Sequence, residues 1–117
     1  MLNKYIVLGK ISNDFNSAML TLPQNREEVI RPFAKAVGAE VISMLWLNHP
    51  DMHVCLHLTA PSDEAVSAMC GIARSSGNFD KLDWFRAFDS QEFKEVFETA
   101  SEAMTTYVSA MAVTGLK

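Results

Sequence analysis

Apolar residues follow two different spacings along this chain. Four short segments are rich in β-branched and large apolar side chains, which is typical of strands, and several carry such side chains on both faces. Elsewhere the apolar residues recur every three or four positions, as in amphipathic helices. The predicted strands span residues 4–11, 39–47, 52–59 and 80–88, and the predicted helices span about 23–37, 62–75 and 90–111.

Turn and cap residues refine these limits. Residues 12–23 contain Ser, Asn, Asp and Pro and are predicted to form a loop. Pro32 lies inside the first helical pattern and predicts a kink there or a short separate first turn. Gly38 is expected to end the same helix. Asp89, with Glu92 three residues later, predicts a capping box at the start of the last helix.

The order of these elements predicts an α+β fold, a ferredoxin-like βαββαβ sandwich. Two helices would cover one face of a four-stranded antiparallel sheet, a C-terminal helix (about 90–111) would follow, and residues 1–117 would form a single domain. Because strands such as 5–11 are apolar on both faces, the uncovered sheet face would expose a large apolar patch. We therefore expect two subunits to pack these faces together, as a homodimer or higher oligomer.

Composition and charge argue against several kinds of partner. The 117 residues carry a net charge of −4, and no run of lysine or arginine occurs. Neither nucleic acid nor an anionic membrane is therefore an expected partner. The sequence shows no signal peptide and no apolar run of membrane-spanning length, so we expect a cytoplasmic protein. Cys55 and Cys70 are expected to be free thiols in that compartment.

Reactive side chains gather in one short stretch. All three histidines and one cysteine fall between residues 49 and 57, and His53, Cys55 and His57 would share one face of the third strand. Neighbours on a strand face lie about 6.6 Å apart, so two of these side chains could share a metal ion but all three could not without a bend. The alternative is that Cys55 and His57 are packing residues of a semi-polar interface. We predict neither a metal nor another cofactor.

A cavity between the paired sheets is the predicted ligand site. Apolar walls with a few polar points would suit a small apolar or semi-polar ligand. If the parity of a strand is shifted by one residue, the lining residues lie on the helix side instead. The tryptophans could also be ordinary packing residues of the core or the interface. No catalytic residue is assigned. The predicted lining residues are Tyr5, Trp46, Cys55, His57 and Trp84.

Five segments resemble a known family: residues 5–10 (YIVLGK), 38–41 (GAEV), 60–65 (APSDEA), 76–79 (SGNF) and 85–93 (FRAFDSQEF). They are similar to segments of the GYD-domain family, and the resemblance covers roughly residues 4–97. It implies a dimeric α+β barrel fold without an established activity. The family's Gly-x-Tyr-Asp signature falls on residues 50–53, which are Pro, Asp, Met and His. Roles of the signature tyrosine and aspartate are therefore not carried over to this chain.

Two functions of different classes fit these observations. The first is a homo-oligomeric module that binds a small ligand at the subunit interface. The alternative is a small barrel-type oxygenase or related enzyme. By analogy with other proteins of this fold class, it would use His57 in an interface pocket as a haem ligand or general base.

Overall fold

A computed structural model describes residues 2–115, and the chain divides between Ala87 and Phe88 into two units. The first unit holds all the strands of the described chain, and the second is helical. In the first unit the elements are β1 (Asn3–Ile11), α1 (Asn13–Thr21), α2 (Glu27–Ala36), β2 (Glu40–Trp46), β3 (Val54–Ala60), α3 (Asp63–Ser75) and β4 (Phe79–Ala87). In the second unit they are α4 (Ser90–Ala103), a 3₁₀ turn (Met104–Thr106) and α5 (Ala110–Val113).

The four strands found within residues 2–115 form one antiparallel sheet in the order β2-β3-β1-β4. Non-sequential neighbours in this order arise because α2 and α3 return the chain across the sheet, which is the ferredoxin-like arrangement. The predicted α+β fold with a four-stranded antiparallel sheet is therefore confirmed. Dimerisation stays a prediction.

Burial alternates along the strands and identifies the covered face of the sheet. On β3 every second residue from Val54 to Ala60 is buried, and the residues between them are half-buried. The buried set joins Ala34 of α2 and Val66 of α3 in one core cluster, so the helices cover this face. We call the opposite surface the open face. It carries Ile6, Leu8, Leu45, Cys55, His57 and Phe85.

The predicted loop over residues 12–23 is wrong, because α1 occupies most of it. Ser12 caps this helix, and its hydroxyl accepts a hydrogen bond from the backbone N–H of Phe15 at 3.1 Å. Phe15 is the one buried residue of α1. With a single buried side chain, the helix leaves no apolar stripe in the sequence that would predict it.

The residues predicted to end α2 and to begin α4 are found at those positions in the structure. Gly38 follows α2 at φ 79°, with its N–H bonded to the Lys35 carbonyl and that of Ala39 bonded to Ala34, which is a Schellman motif. Pro32 lies inside α2, which begins at Glu27. The predicted Asp89–Glu92 capping box is present at α4.

The C-terminal helix ends earlier than predicted. α4 stops at Ala103 instead of continuing to about residue 111. A 3₁₀ turn (Met104–Thr106) follows, and α-helix resumes only at Ala110. Ser109 caps the new helix, with its hydroxyl accepting from the Ala112 N–H at 3.0 Å. The intervening segment contains β-branched Thr and Val residues, which lose side-chain freedom in a helix and so favour the break.

Gly9 of β1 provides a test of how closely the core is packed. A Cβ added there would lie 2.9 Å from Val54 Cγ1 and 3.0 Å from Leu82 Cδ1. We expect Gly9→Ala to lower the free energy of unfolding by about 1–3 kcal/mol, because the methyl group overpacks the sheet. Gly71, inside α3, has no such neighbour within 4 Å. Gly71→Ala is the matched control and should raise stability by roughly 0.5–1 kcal/mol in urea titrations. A neutral Gly9→Ala would contradict this account.

Candidate functional site

The sheet separates the five predicted lining residues into two groups. Tyr5, Trp46 and Trp84 lie on the helix side, whereas Cys55 and His57 lie on the open face. The Tyr5 ring is fully buried and meets the Trp84 ring edge-on at 5.9 Å, and the Trp46 ring stacks on Phe15 at 5.9 Å. The structure thus does not bring the two tryptophans together with Cys55 and His57 in one cavity.

Cys55 and His57 lie on an interior strand in the middle of the open face. His57 is opposite Ile6 on one side and Ser43 on the other, and Cys55 is opposite Leu8 and Leu45. Both residues are half-buried. Their neighbours are mostly apolar, so the imidazole and the thiol are polar points on an apolar surface.

Two polar groups on this part of the open face lack partners. The His57 imidazole makes no hydrogen bond to any residue from 2 to 115. The Thr59 hydroxyl oxygen, two residues further along the same strand face, is buried and likewise has no partner in the described chain. A buried hydroxyl without a hydrogen bond destabilises the fold by about 1–3 kcal/mol. These groups therefore have unused hydrogen-bonding capacity.

His53 and His49 have local structural roles. The Nδ1 atom of His53 accepts a hydrogen bond from the Ile11 N–H at 3.1 Å, while its backbone N–H donates to the Gly9 carbonyl at 2.8 Å. The Nδ1 atom of His49 accepts from the N–H groups of Asp51 and Met52, which closes the turn before β3. The structure thus assigns the three clustered histidines to a turn, a strand end and the open face. In the described range, no three His, Cys, Asp or Glu side chains are placed to hold a metal ion.

A second polar group, on the helix side, surrounds the end of the Tyr5 side chain. The Tyr5 hydroxyl donates to Asp63 Oδ1 at 2.5 Å and accepts from Asn3 Nδ2 at 3.3 Å. The Arg86 guanidinium lies 5.7 Å from the centre of the Tyr5 ring. Burial raises the pKa of the Tyr5 phenol above its ordinary value of 10.0, and the hydrogen bond to Asp63 raises this pKa further. Tyr5 is therefore a neutral donor that anchors β1 to α3.

A groove of about 180 Å³ opens on the helix side, bounded by α1, α2, α3 and parts of β2 and β4. We call it the helix-side groove and define it by Phe15, Arg26, Val29, Trp46, Asn78 and Phe79. An apolar cavity of about 50 Å³ adjoins it and shares Ile30, Phe33 and Met44 as lining residues. No local motif predicts this groove, because its residues come from four separate stretches of the chain: residue 15 and residues 26–33, 44–46 and 72–79.

Cys70 of α3 lines the smaller cavity. The residue is almost completely buried, and burial raises the pKa of its thiol above the ordinary value of 9.0. A protonated, buried thiol packs as a small hydrophobic group. Cys70 is therefore a free thiol that packs in the core.

Replacing His53 tests whether this residue stabilises the fold through its hydrogen bond or serves as a metal ligand. His53→Ala leaves the Ile11 N–H without its acceptor, so we expect a loss of about 1–3 kcal/mol in the free energy of unfolding. His49→Ala, in an exposed turn, should cost less. Urea unfolding of both variants, repeated with added Zn²⁺, provides the measurement. A zinc-dependent gain in stability that His53→Ala abolishes would contradict the structural role.

The match to known families covers most of the chain. Residues 5–97 of the 117 match the GYD domain. No curated protein matches the chain significantly. Among residues 2–115, no helix is both long and apolar enough to cross a membrane. The matched range includes β1 from Tyr5 onward, all of β2, β3 and β4, and the first eight residues of α4. The chain therefore belongs to the GYD domain family.

Proposed function

We propose that the protein associates with a second copy of itself through the open face and binds a small, semi-polar ligand beside Cys55 and His57. One observation carries this proposal: large apolar side chains remain exposed on the open face. Phe85 is 48% exposed and Leu45 is 59% exposed, and both share this surface with Ile6 and Leu8. Continuous apolar surfaces of this kind mark interaction sites on proteins.

A second copy is the occupant that the arrangement of the open face favours. Apolar residues occupy the middle of this surface, while Lys10 and Lys81 lie opposite each other towards one end. If two copies are related by a two-fold axis, the apolar middle of one meets that of the other. Sheets packed in this way lie about 10 Å apart with interdigitated side chains. The dimeric barrel implied by the family resemblance has the same arrangement.

The ligand is inferred from the polar groups that such an interface would enclose. Packing two open faces together removes water from the His57 imidazole, and the Thr59 hydroxyl on the same face is already buried without a partner in the described chain. Burying such groups without partners is unfavourable, so a ligand with hydrogen-bonding atoms would stabilise the assembly. A neutral imidazole can donate one hydrogen bond and accept another. The inferred ligand is therefore small, mainly apolar and able to form hydrogen bonds.

We also infer that the protein works in the cytoplasm. Cys55 and Cys70 are both free, and Cys55 is only half-buried. Free thiols persist in reducing compartments. The net charge of −4 and the absence of basic runs further favour a small molecule and a second copy as partners over nucleic acid.

Light scattering after size exclusion tests the association. We expect the full chain at micromolar concentration to have the mass of a dimer or higher oligomer, and Phe85→Lys to be a monomer, because a lysine there would be buried without a partner. The control is Leu20→Lys on α1, where the leucine is 78% exposed and the change should not alter the mass. A monomeric wild-type protein would overturn the proposed association.

Thermal shifts with a library of small neutral and semi-polar compounds test the ligand site. Compounds that raise the Tm of the wild-type protein should lose this effect in His57→Ala and keep it in His49→Ala, since His49 lies in an exposed turn. Titration with haemin examines the oxygenase alternative, because haem ligation by His57 would give a Soret shift that His57→Ala removes. The ligand proposal fails if no stabilising compound depends on His57.

A further inference from the structure

We propose that the helix-side groove binds a small amphipathic carboxylate, with its apolar part against Phe15 and Trp46 and its carboxylate on Arg26. This site lies on the opposite side of the sheet from Cys55 and His57. It is independent of the function proposed above, since none of its residues belongs to the open face.

The apolar part of the site is a wall of nearly parallel aromatic rings. The Phe15 ring stacks on Trp46 with an angle of 16° between the ring planes, and it stacks on Phe79 at 6.3 Å and 19°. Trp46 and Val29 remain 46% and 48% exposed, so solvent reaches the groove past them. A flat apolar wall with an open side suits a single aromatic ring or a short alkyl chain.

The size of the groove limits the ligand. Its volume is about 180 Å³, and the adjoining cavity adds about 50 Å³. A buried apolar cavity of ~150 Å³ in another protein stays dry and binds benzene. The groove therefore accommodates one ring with a short side chain.

Arg26 supplies the charge that selects a carboxylate. Its side chain is half-buried, lines the groove and donates to Gln24 Oε1 at 2.8 Å. It forms no ion pair with any carboxylate in residues 2–115, whereas Arg31 on the same helix pairs with Glu27 at 2.7 Å. A guanidinium has five N–H donors, and two of them can bind a carboxylate side by side.

Two further features support this assignment. Arg26 precedes α2 at the N-cap position, but its side chain makes no capping hydrogen bond. A guanidinium only donates hydrogen bonds, so this side chain cannot cap the N–H groups that begin the helix. Asn78 also lines the groove, and its side-chain amide forms no hydrogen bond within the described residues. That amide can donate a second hydrogen bond to a bound carboxylate.

The test compares a carboxylate with its neutral analogue. The full chain carrying Trp84→Phe keeps Trp46 as its one tryptophan, since the sequence contains two. We would titrate it with 3-phenylpropionate and with 3-phenylpropan-1-ol and follow Trp46 fluorescence. Both probes should change the signal, and the carboxylate should bind about tenfold more tightly or better, because its hydrogen bonds to Arg26 are charge-assisted.

Two substitutions on α2 and its cap assign this preference to one residue. Arg26→Gln should weaken carboxylate binding about tenfold, to the level of the alcohol, and leave alcohol binding unchanged. Lys35→Gln removes the same charge from an exposed residue that does not line the groove. This control should alter both affinities by no more than about twofold, because exposed charges are screened by salt.

Several results would overturn the proposal. Equal affinities for the two probes, or equal effects of Arg26→Gln and Lys35→Gln, would exclude a specific carboxylate site. Loss of carboxylate binding in Phe85→Lys but not in Arg26→Gln would place the bound probe on the open face. If Trp84→Phe is unstable, the indole N–H resonances of the native chain replace fluorescence. In that case the carboxylate must shift the Trp46 resonance more than that of Trp84.

Discussion

Side chains alternate across the four-stranded sheet, and this alternation determines which of them the helices bury. Once Leu58 and Tyr5 are buried under the helices, the residues two positions away on β3 and β1 lie on the same side of the sheet, and the residues between them lie on the open face. Gly9 allows the strands to pack in this way, because a Cβ at this position would lie only 2.9 Å from Val54 and 3.0 Å from Leu82. His53 fixes it at the strand end by accepting from the Ile11 N–H. The side of the sheet on which each side chain lies therefore determines which residues each proposed site contains.

The sequence predicts which residues of one strand share a face. It does not predict which face of each strand the helices cover. On β3, Val54 and Leu56 alternate with Cys55 and His57, so their faces follow from composition alone. On β1 the residues of both parities are apolar, and the sequence contains no signal that buries Tyr5 rather than Ile6. β2 adds a register shift between Val41 and Ser43, which changes parity along the strand. Trp46 consequently lies on the helix side, away from Cys55.

Across the fold, features formed by residues close in sequence are predictable, whereas contacts between distant residues are not. The end of α2 at Gly38 and the capping box at Asp89 depend on residues a few positions apart, and the sequence predicts both. The hydrogen bond between Tyr5 and Asp63 joins residues 58 positions apart, and the stack of Phe15 on Trp46 joins a helix predicted as loop to a strand. Such contacts depend on tertiary packing, which no sequence window contains. The helix-side groove is built from contacts of this kind.

The two proposed sites differ in charge, and this difference determines which ligands each can take. The open face offers the imidazole of His57, the thiol of Cys55 and the hydroxyl of Thr59, which suit a neutral ligand buried between sheets. The groove offers the guanidinium of Arg26, a cationic group with five N–H donors in a fixed plane. With a net charge of −4 the chain repels anions at long range. Selection of a carboxylate must therefore come from short-range contact with Arg26, where the two groups can form paired hydrogen bonds, and not from the field of the whole protein.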